Sequence, residues 1–151
     1  MNLKKAKRII KLISWYPPYL GAGVKLEAYS PDFSRFVTRM KLRFYNRNLF
    51  GTHFGGSLYS MTDPFFVFIV MAYMGDGYTV WDKAACIDFK RPGRGTVRAV
   101  MEADKKELAD FKAEADANGK ALKEFHTEIT DKSGEIVARV SKTIYVRKKN
   151  K

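Results

Sequence analysis

The first half of the chain passes from helically spaced hydrophobic residues to alternating ones, and then to a continuous apolar run. Residues 1–16 carry apolar side chains at helical spacing with lysines between them, which predicts an amphipathic N-terminal helix that Pro17-Pro18 ends. Residues 24–29 and 36–45 alternate and predict strands, the second with one apolar face made by Phe36, Thr38, Met40, Leu42 and Phe44. Residues 56–74 are too long and too continuously apolar for one strand, so they predict a buried helix that Pro64 bends.

The second half of the chain predicts four more strands and one short helix. The strands are expected at residues 79–90, 96–105, 122–131 and 136–146, with Ser133-Gly134 as the turn between the last two. Residues 106–118 are rich in Ala, Glu and Lys and precede Gly119, which predicts an inserted helix. No internal repeat or low-complexity linker is visible, so we expect a single domain over residues 1–151. The economical packing is an α+β fold with one sheet wrapped around one buried helix.

The net charge of +12 favours acidic partners such as nucleotide phosphates, acidic proteins, anionic lipid or nucleic acid. Nucleic acid ranks last because aromatic and basic residues interleave little, while contact of the N-terminal helix with a membrane surface stays an alternative. No apolar run reaches the roughly 20 residues that span a bilayer. A single cysteine, Cys86, fits a reducing cytosol, and we expect a cytoplasmic protein.

The segment from Asn48 to Asp63 holds the candidate chemistry. A polar loop leads to Gly55-Gly56 at the entry of the apolar helix, where a ligand can approach the backbone closely and unpaired N–H groups form an anion site. Asp63 follows one to two turns further along. This combination indicates acyl transfer. The structural alternatives are close packing at the two glycines and Asp63 as a helix N-cap before Pro64.

Five residues match a motif of the hot-dog fold thioesterases, namely Asn48, Gly51, Gly55, Gly56 and Asp63. Residues 87–92 with Gly95 resemble the family's strand that ends in an aromatic, a Pro and a Gly, and residues 129–145 resemble its closing hairpin. The chain most closely resembles the PaaI-like branch and an uncharacterised bacterial subfamily of hot-dog proteins. The resemblance covers roughly residues 24–147.

The resemblance implies a hot-dog fold, with an antiparallel sheet around a long central helix, and hydrolysis of an acyl-coenzyme A thioester. It implies Asp63 as base or nucleophile, the backbone N–H of Gly55 as oxyanion donor, and Asn48 as the group that orients the water or the thioester carbonyl. Substrate contacts are implied at two groups of residues, Gly56, His53 and Phe54 near the helix, and Lys90, Arg91 and Arg94 near the coenzyme A phosphates.

The same resemblance implies partners and cofactors. The active site of this fold forms between two subunits, so a homodimer or tetramer is expected, with an acyl-coenzyme A or acyl-carrier thioester as substrate. No metal site is expected, since the sequence has only His53 and His126 and no cysteine pair. No redox cofactor is expected either, and coenzyme A enters only as part of the substrate.

One departure from the family pattern leaves a second function open. Phe54 stands where the family has His, and His53 lies one position earlier. A non-catalytic protein that binds an acyl or coenzyme A ligand is therefore the alternative to a thioesterase. Asn48 as a turn residue, His53 as a loop histidine and residues 90–94 as a solvated basic turn are the corresponding structural alternatives.

Overall fold

The helices and strands of the computed structural model follow the predicted order within the residues that the structure describes, which are 8–10 and 12–149. A 3-10 turn, Ile13–Trp15, comes first. The helices are α1 (Pro17–Ala22), α2 (Gly55–Ser60), α3 (Phe65–Met74) and α4 (Lys105–Asn118). The strands are β1 (Val24–Tyr29), β2 (Arg35–Lys41), β3 (Tyr78–Phe89), β4 (Thr96–Glu102), β5 (Lys120–Thr130) and β6 (Ile136–Lys148).

The strands of the described residues form one antiparallel sheet in the order β1-β2-β4-β5-β6-β3. β6 pairs along most of its length with β5 on one side and β3 on the other. β1 and β3 are therefore the two edges of the sheet. The edge at β3 is the longer, with 12 residues against 6, and it exposes the large side chains of Trp81 and Phe89.

The predicted central helix is present but is broken in the middle. α2 and α3 together occupy Gly55–Met74, and residues 61–64 form a turn between them. The prediction of one helix that Pro64 bends was wrong, because Pro64 is the N-cap residue at which α3 begins. Proline has no N–H to donate and its ring blocks the preceding helical turn. The alternative of Asp63 as the N-cap is also wrong, since no side chain caps α3.

The inner face of the sheet and the central helices form one apolar core. The ring of Phe65 lies 5.2 Å from that of Phe36 on β2, and Phe66 stacks on Phe125 of β5 at the same separation. By length and composition alone, Gly55–Met74 is also apolar enough to cross a membrane. Because half of that window is buried inside this structure, we assign the segment to the core of the domain.

The second strand ends earlier than predicted, at Lys41 rather than residue 45. Asn46 turns the chain there: its Oδ1 accepts from the backbone N–H of Arg43 at 2.7 Å. Its Nδ2 donates to the carbonyl oxygens of Ala22 and Lys41 at 2.9 and 3.0 Å. The turn takes Phe44 off the predicted inner face and leaves it 82% exposed.

Two further boundaries differ from the prediction. β4 stops at Glu102 because Asp104 caps α4, accepting from the backbone N–H of Lys106 at 2.7 Å. Pro17-Pro18 begins α1 instead of only ending a helix, which suits proline's tolerance of the first helical turn. The predicted N-terminal helix falls in part on residues 1–7 and 11, outside the described residues. Residues 8–10 and 12 are helical.

Phe66→Ala should lower the free energy of unfolding by about 3–5 kcal/mol, because it removes a fully buried ring from the contact between α3 and β5. Urea unfolding at one fixed protein concentration measures the loss. Phe44→Ala is the matched control, and at an exposed ring it should change stability by no more than about 0.5 kcal/mol. Equal losses in the two variants would contradict this assignment of the core.

Candidate active site

Asn48 organises the loop that leads into α2. Its Oδ1 accepts from the backbone N–H groups of Phe50 and Thr52 at 2.9 and 3.1 Å. Its Nδ2 donates to Thr52 Oγ1 at 2.9 Å and to the carbonyl oxygen of His53 at 3.3 Å. Both ends of the amide are used inside the loop, as in an Asx turn. This geometry favours Asn48 as the residue that fixes the loop over direct contact with a ligand.

His53 joins that loop to the loop after β3. Its backbone N–H donates to the carbonyl oxygen of Gly93 at 2.9 Å, and its Nε2 donates to the carbonyl oxygen of Gly95 at 3.1 Å. The residue is 2% exposed, and no group among the described residues meets its buried Nδ1. Burial lowers the pKa of His53, and the bond to Gly95 only partly offsets this effect. The ring is therefore a neutral structural link.

The two glycines that begin α2 are each covered by an aromatic ring. A Cβ atom on Gly55 would lie 2.9 Å from Cζ of Phe89, and one on Gly56 would lie 2.6 Å from Cε1 of Phe54. The N-cap residue is Phe54, which has no side-chain oxygen to offer. Within the described part of the chain, no acceptor meets the backbone N–H groups of Gly55 and Gly56. These donors are free for a ligand.

An open cavity of about 650 Å³ lies beside the first turn of α2. The loop before α2, the end of β3 and the loop after it meet there, and the lining consists of Asn48, Phe50, Thr52, His53, Gly55, Leu58, Phe89, Lys90, Arg91, Pro92, Gly93 and Arg94. The fold therefore brings six of the nine predicted site residues to one cavity, the others being Phe54, Gly56 and Asp63.

Two of the three cations that line this cavity are already paired with carboxylates. Lys90 forms an ion pair with Asp88, and Arg91 forms one with Glu135. Within residues 12–149, Arg94 forms no ion pair. Arg94 is thus the cation in this loop whose charge no carboxylate of the described chain offsets.

Asp63 lies outside the cavity, against a buried lysine that the sequence analysis did not identify. Lys142 on β6 has no exposed side-chain surface and donates to Oδ1 of Asp63. It also donates to Oδ2 of Asp82 on β3 at 2.9 Å. The Lys142 ammonium lies 5.3 Å from the ring centre of Tyr59, and the hydroxyl of Tyr19 donates to the backbone carbonyl of Asp63. Asp63 is held on several sides, yet its side chain keeps 43% exposure.

The charges of this cluster perturb one another. Burial raises the pKa of Asp82, the contact with Lys142 acts in the opposite direction, and Asp63 raises the pKa further. Burial acts to lower the pKa of Lys142, but the hydrogen bonds and charges of the two aspartates outweigh it, so the pKa is raised. Lys142 therefore stays protonated across the physiological range.

The sequence contained a signal for this lysine. Along β6 the inward positions are Val140, Lys142, Ile144 and Val146, so one lysine interrupts an apolar series with a period of two. A lysine at such a position has to find a counter-charge. Asp82 gave no comparable signal, because a bulge between residues 82 and 84 shifts the register of β3 against β6.

The family model described as "Domain of unknown function (DUF4442)" matches residues 6–146. A search of the curated proteins finds no match.

Several solved structures are similar to this chain over nearly its whole length. A Pseudomonas aeruginosa protein described as a probable thioesterase has a TM-score of 0.80 and 20% identity, covering 99% of this chain and 97% of its own. A Haemophilus influenzae thioesterase has a TM-score of 0.66 and 12% identity, covering 98% and 92%. The E. coli PaaI protein from the phenylacetic acid degradation operon has a TM-score of 0.62 and 17% identity, covering 97% and 95%. At these identities the similarity shows the fold alone. The predicted hot-dog fold, of the PaaI-like type, is confirmed.

His53 should make the folded protein less stable in acid. Burial lowers the pKa of His53 below the ordinary 6.5. As the pH falls below 6.5, the imidazole therefore binds a proton in the unfolded chain before it does so in the folded chain. The free energy of unfolding should fall between pH 7 and pH 5, with at most about 1.4 kcal/mol per pH unit from this residue. His53→Gln, which keeps a donor for Gly95, should lose that part of the fall in urea unfolding experiments.

His126→Gln is the matched control for this experiment, since it removes an imidazole from an exposed position on β5. It should keep the wild-type fall in stability. A His53→Gln variant whose stability depends on pH as that of the wild type does would show that the buried imidazole makes no such contribution.

Proposed function

We propose that this chain, which belongs to the DUF4442 family and has the hot-dog fold, is a cytoplasmic hydrolase of acyl-coenzyme A thioesters. The observation that carries the proposal is the cavity at the start of α2, where the backbone N–H of Gly55, which has no acceptor among the described residues, and the cation of Arg94 line one open space. A thioester has a carbonyl oxygen for the first group and, in coenzyme A, phosphates for the second. The solved thioesterase with the same fold adds support.

The backbone N–H of Gly55 is the proposed oxyanion donor. It lies at the first position of α2, lacks an acceptor among the described residues, and borders the cavity. A donor aimed at a developing oxyanion typically contributes about 3 kcal/mol of transition-state stabilisation. Phe89 lies against Gly55 in the space that a Cβ atom would fill, so glycine is required at this position to keep the ring there. Asn48 serves the site by positioning the loop.

Arg94 is the proposed main contact to the coenzyme A phosphates. Arginine suits phosphate geometry because its planar guanidinium presents several N–H donors. Lys90 and Arg91 contribute less in this proposal, since Asp88 and Glu135 already neutralise them. The reaction needs no metal and no redox cofactor.

Asp63 is the proposed base that activates water, and it acts from a second copy of the chain. It lies eight positions after Gly55, beyond the end of α2 at Ser60, and it does not line the cavity of its own chain. A homodimer through the free edge of β3 is favoured by the length of that edge and by its exposed Trp81 and Phe89, since a long unpaired edge is a template for another strand.

A second function, binding of an acyl or coenzyme A ligand without hydrolysis, is favoured by Phe54. The resemblance to hot-dog thioesterases implies a histidine at this position. Phe54 is 57% exposed, and its ring covers Gly56. A site of this kind keeps the cavity and Arg94 but does not turn its ligand over. Thiol release separates the two functions.

Asp63→Asn should lower thioester turnover by at least about 100-fold, the low end for loss of a positioned general base. Asp82 leaves Lys142 one counter-charge in this variant, so the protein should stay folded. The assay is free-thiol release across acyl-coenzyme A chain lengths, with melting temperature measured on the same samples. Asp110→Asn, at an exposed position of α4, is the control for loss of one negative charge and should keep wild-type turnover.

Wild-type turnover that persists in Asp63→Asn would remove Asp63 from the reaction. Absence of thiol release from the wild type with every acyl chain, together with saturable binding of acyl-coenzyme A, would support the binding protein instead.

The protein should be a dimer at micromolar concentration, with β3 strands paired across a two-fold axis. Light scattering gives the mass, and Ala85→Pro tests the edge, because proline cannot donate to a β-ladder. Ala85→Gly is the control for loss of the alanine side chain. A stable wild-type monomer would contradict the dimer, and a dimer that survives Ala85→Pro would place the interface elsewhere.

A further inference from the structure

Three charged side chains, one of them that of Asp63, meet in a cluster that does not line the cavity. Lys142 comes from β6, Asp82 from β3, and Asp63 from the turn between α2 and α3. The lysine side chain is fully buried, while those of Asp63 and Asp82 are 43% and 30% exposed. Two carboxylates and one ammonium give a net charge of −1. We name this set the Lys142 cluster.

The two carboxylates are not equivalent. Asp63 is the more exposed of the two, and Lys142 engages its Oδ1. Asp82 gives its Oδ2 to Lys142, and its Oδ1 is buried without a partner among the described residues. The carboxylate of Asp63 is therefore the more accessible to solvent, and Asp82 adds a second negative charge beside the same ammonium.

We infer that Lys142 and Asp82 are positioning residues that hold the carboxylate of Asp63 in place, an inference that rests on the proposed thioesterase function. Lys142 donates to Oδ1 of Asp63 and so fixes that carboxylate. Asp82 accepts from the same ammonium at 2.9 Å and so fixes the lysine in turn. Without either residue the carboxylate of Asp63 is held less firmly at the position from which it takes a proton from water.

In the proposed reaction, Asp63 takes up one proton and later releases it, so the atoms and charges balance. A water oxygen attacks the thioester carbonyl carbon while Asp63 takes one of the water protons. The C–S bond then breaks, and that proton passes to the departing sulfur, so a carboxylic acid and a thiol leave and Asp63 returns to its ionised form. During the attack the net charge of the Lys142 cluster goes from −1 to zero, which a partly buried site favours.

Among the described residues, two tyrosines also face the cluster. Tyr59 on α2 turns its ring face to the ammonium, and Tyr19 on α1 donates its hydroxyl to the backbone of Asp63. Burial, and next the charge of Asp63, raise the pKa of Tyr19, so its hydroxyl stays protonated. The charge balance around Asp63 is therefore set by Lys142 and Asp82.

The first test separates kcat from KM in purified full-length variants. Asp82→Asn should lower kcat by about threefold and Lys142→Met by about tenfold or more, with KM unchanged in both, because a base that is out of position slows the chemical step and not the binding of substrate. A merely structural role would reduce the folded fraction and leave kcat per folded molecule unchanged. Lys123→Met, at a half-buried lysine paired with Glu107 at 3.1 Å, is the control.

The second test does not depend on turnover. Carbon NMR of the Asp82 carboxyl should show its pKa lowered in Asp63→Asn and raised in Lys142→Met, in line with the effects of these neighbours. Should Lys142→Met fail to fold, Asp63→Asn and Asp82→Asn still decide the matter, since each leaves Lys142 one counter-charge. No shift of the Asp82 pKa in Asp63→Asn, or a kcat per folded molecule that Asp82→Asn leaves unchanged, would overturn the inference. Coupled titration in a wild type without turnover would instead overturn the proposed function.

Discussion

Lys142 carries a positive charge into the interior of the sheet, and carboxylates have to offset the cost of removing that charge from water. The two that do so come from separate parts of the chain. Asp82 ties β3 to β6, and Asp63 ties the break between α2 and α3 to the same strand. The break itself follows from Pro64, because a proline cannot continue the helix in which it stands. The position of the proposed base thus depends on a buried ion cluster rather than on helix geometry.

The proposed active site has two halves that lie apart in one chain. The first is the cavity at Gly55, where, among the described residues, the backbone N–H of Gly55 has no acceptor, Arg94 has no ion pair and no acid lines the space. The second is Asp63 with the Lys142 cluster, which has a base but no oxyanion donor. A second copy joined along β3 is the economical way to bring the halves together. Under the proposed function, oligomeric state and catalysis are therefore one question, since a monomer that is stable in solution would leave each half without the other.

Hydrophobic pattern and motif spacing predicted the fold well, because alternation along the strands and the long apolar run record which side chains are buried. The errors arose where one side chain overrides the pattern. Asn46 ends β2 early, and Pro64 divides the central helix. The cavity could be predicted from the residues around Gly55, whereas the Lys142 cluster could not. Asp63 and Lys142 are far apart in the sequence, and only the folded sheet brings them together. A lysine at an inward position of an alternating strand predicts a carboxylate partner, but the sequence does not identify which carboxylate it is.

A crystal structure with a non-hydrolysable acyl-coenzyme A analogue, in which a methylene group replaces the thioester sulfur, tests most directly whether Gly55 and Asp63 act on one substrate. The expected result has the carbonyl oxygen about 3 Å from the backbone nitrogen of Gly55. The phosphates should lie at Arg94, and Asp63 of a second copy should face the carbonyl carbon. A ligand bound away from this cavity, or a carbonyl carbon that Asp63 of neither copy approaches, would contradict the proposed site.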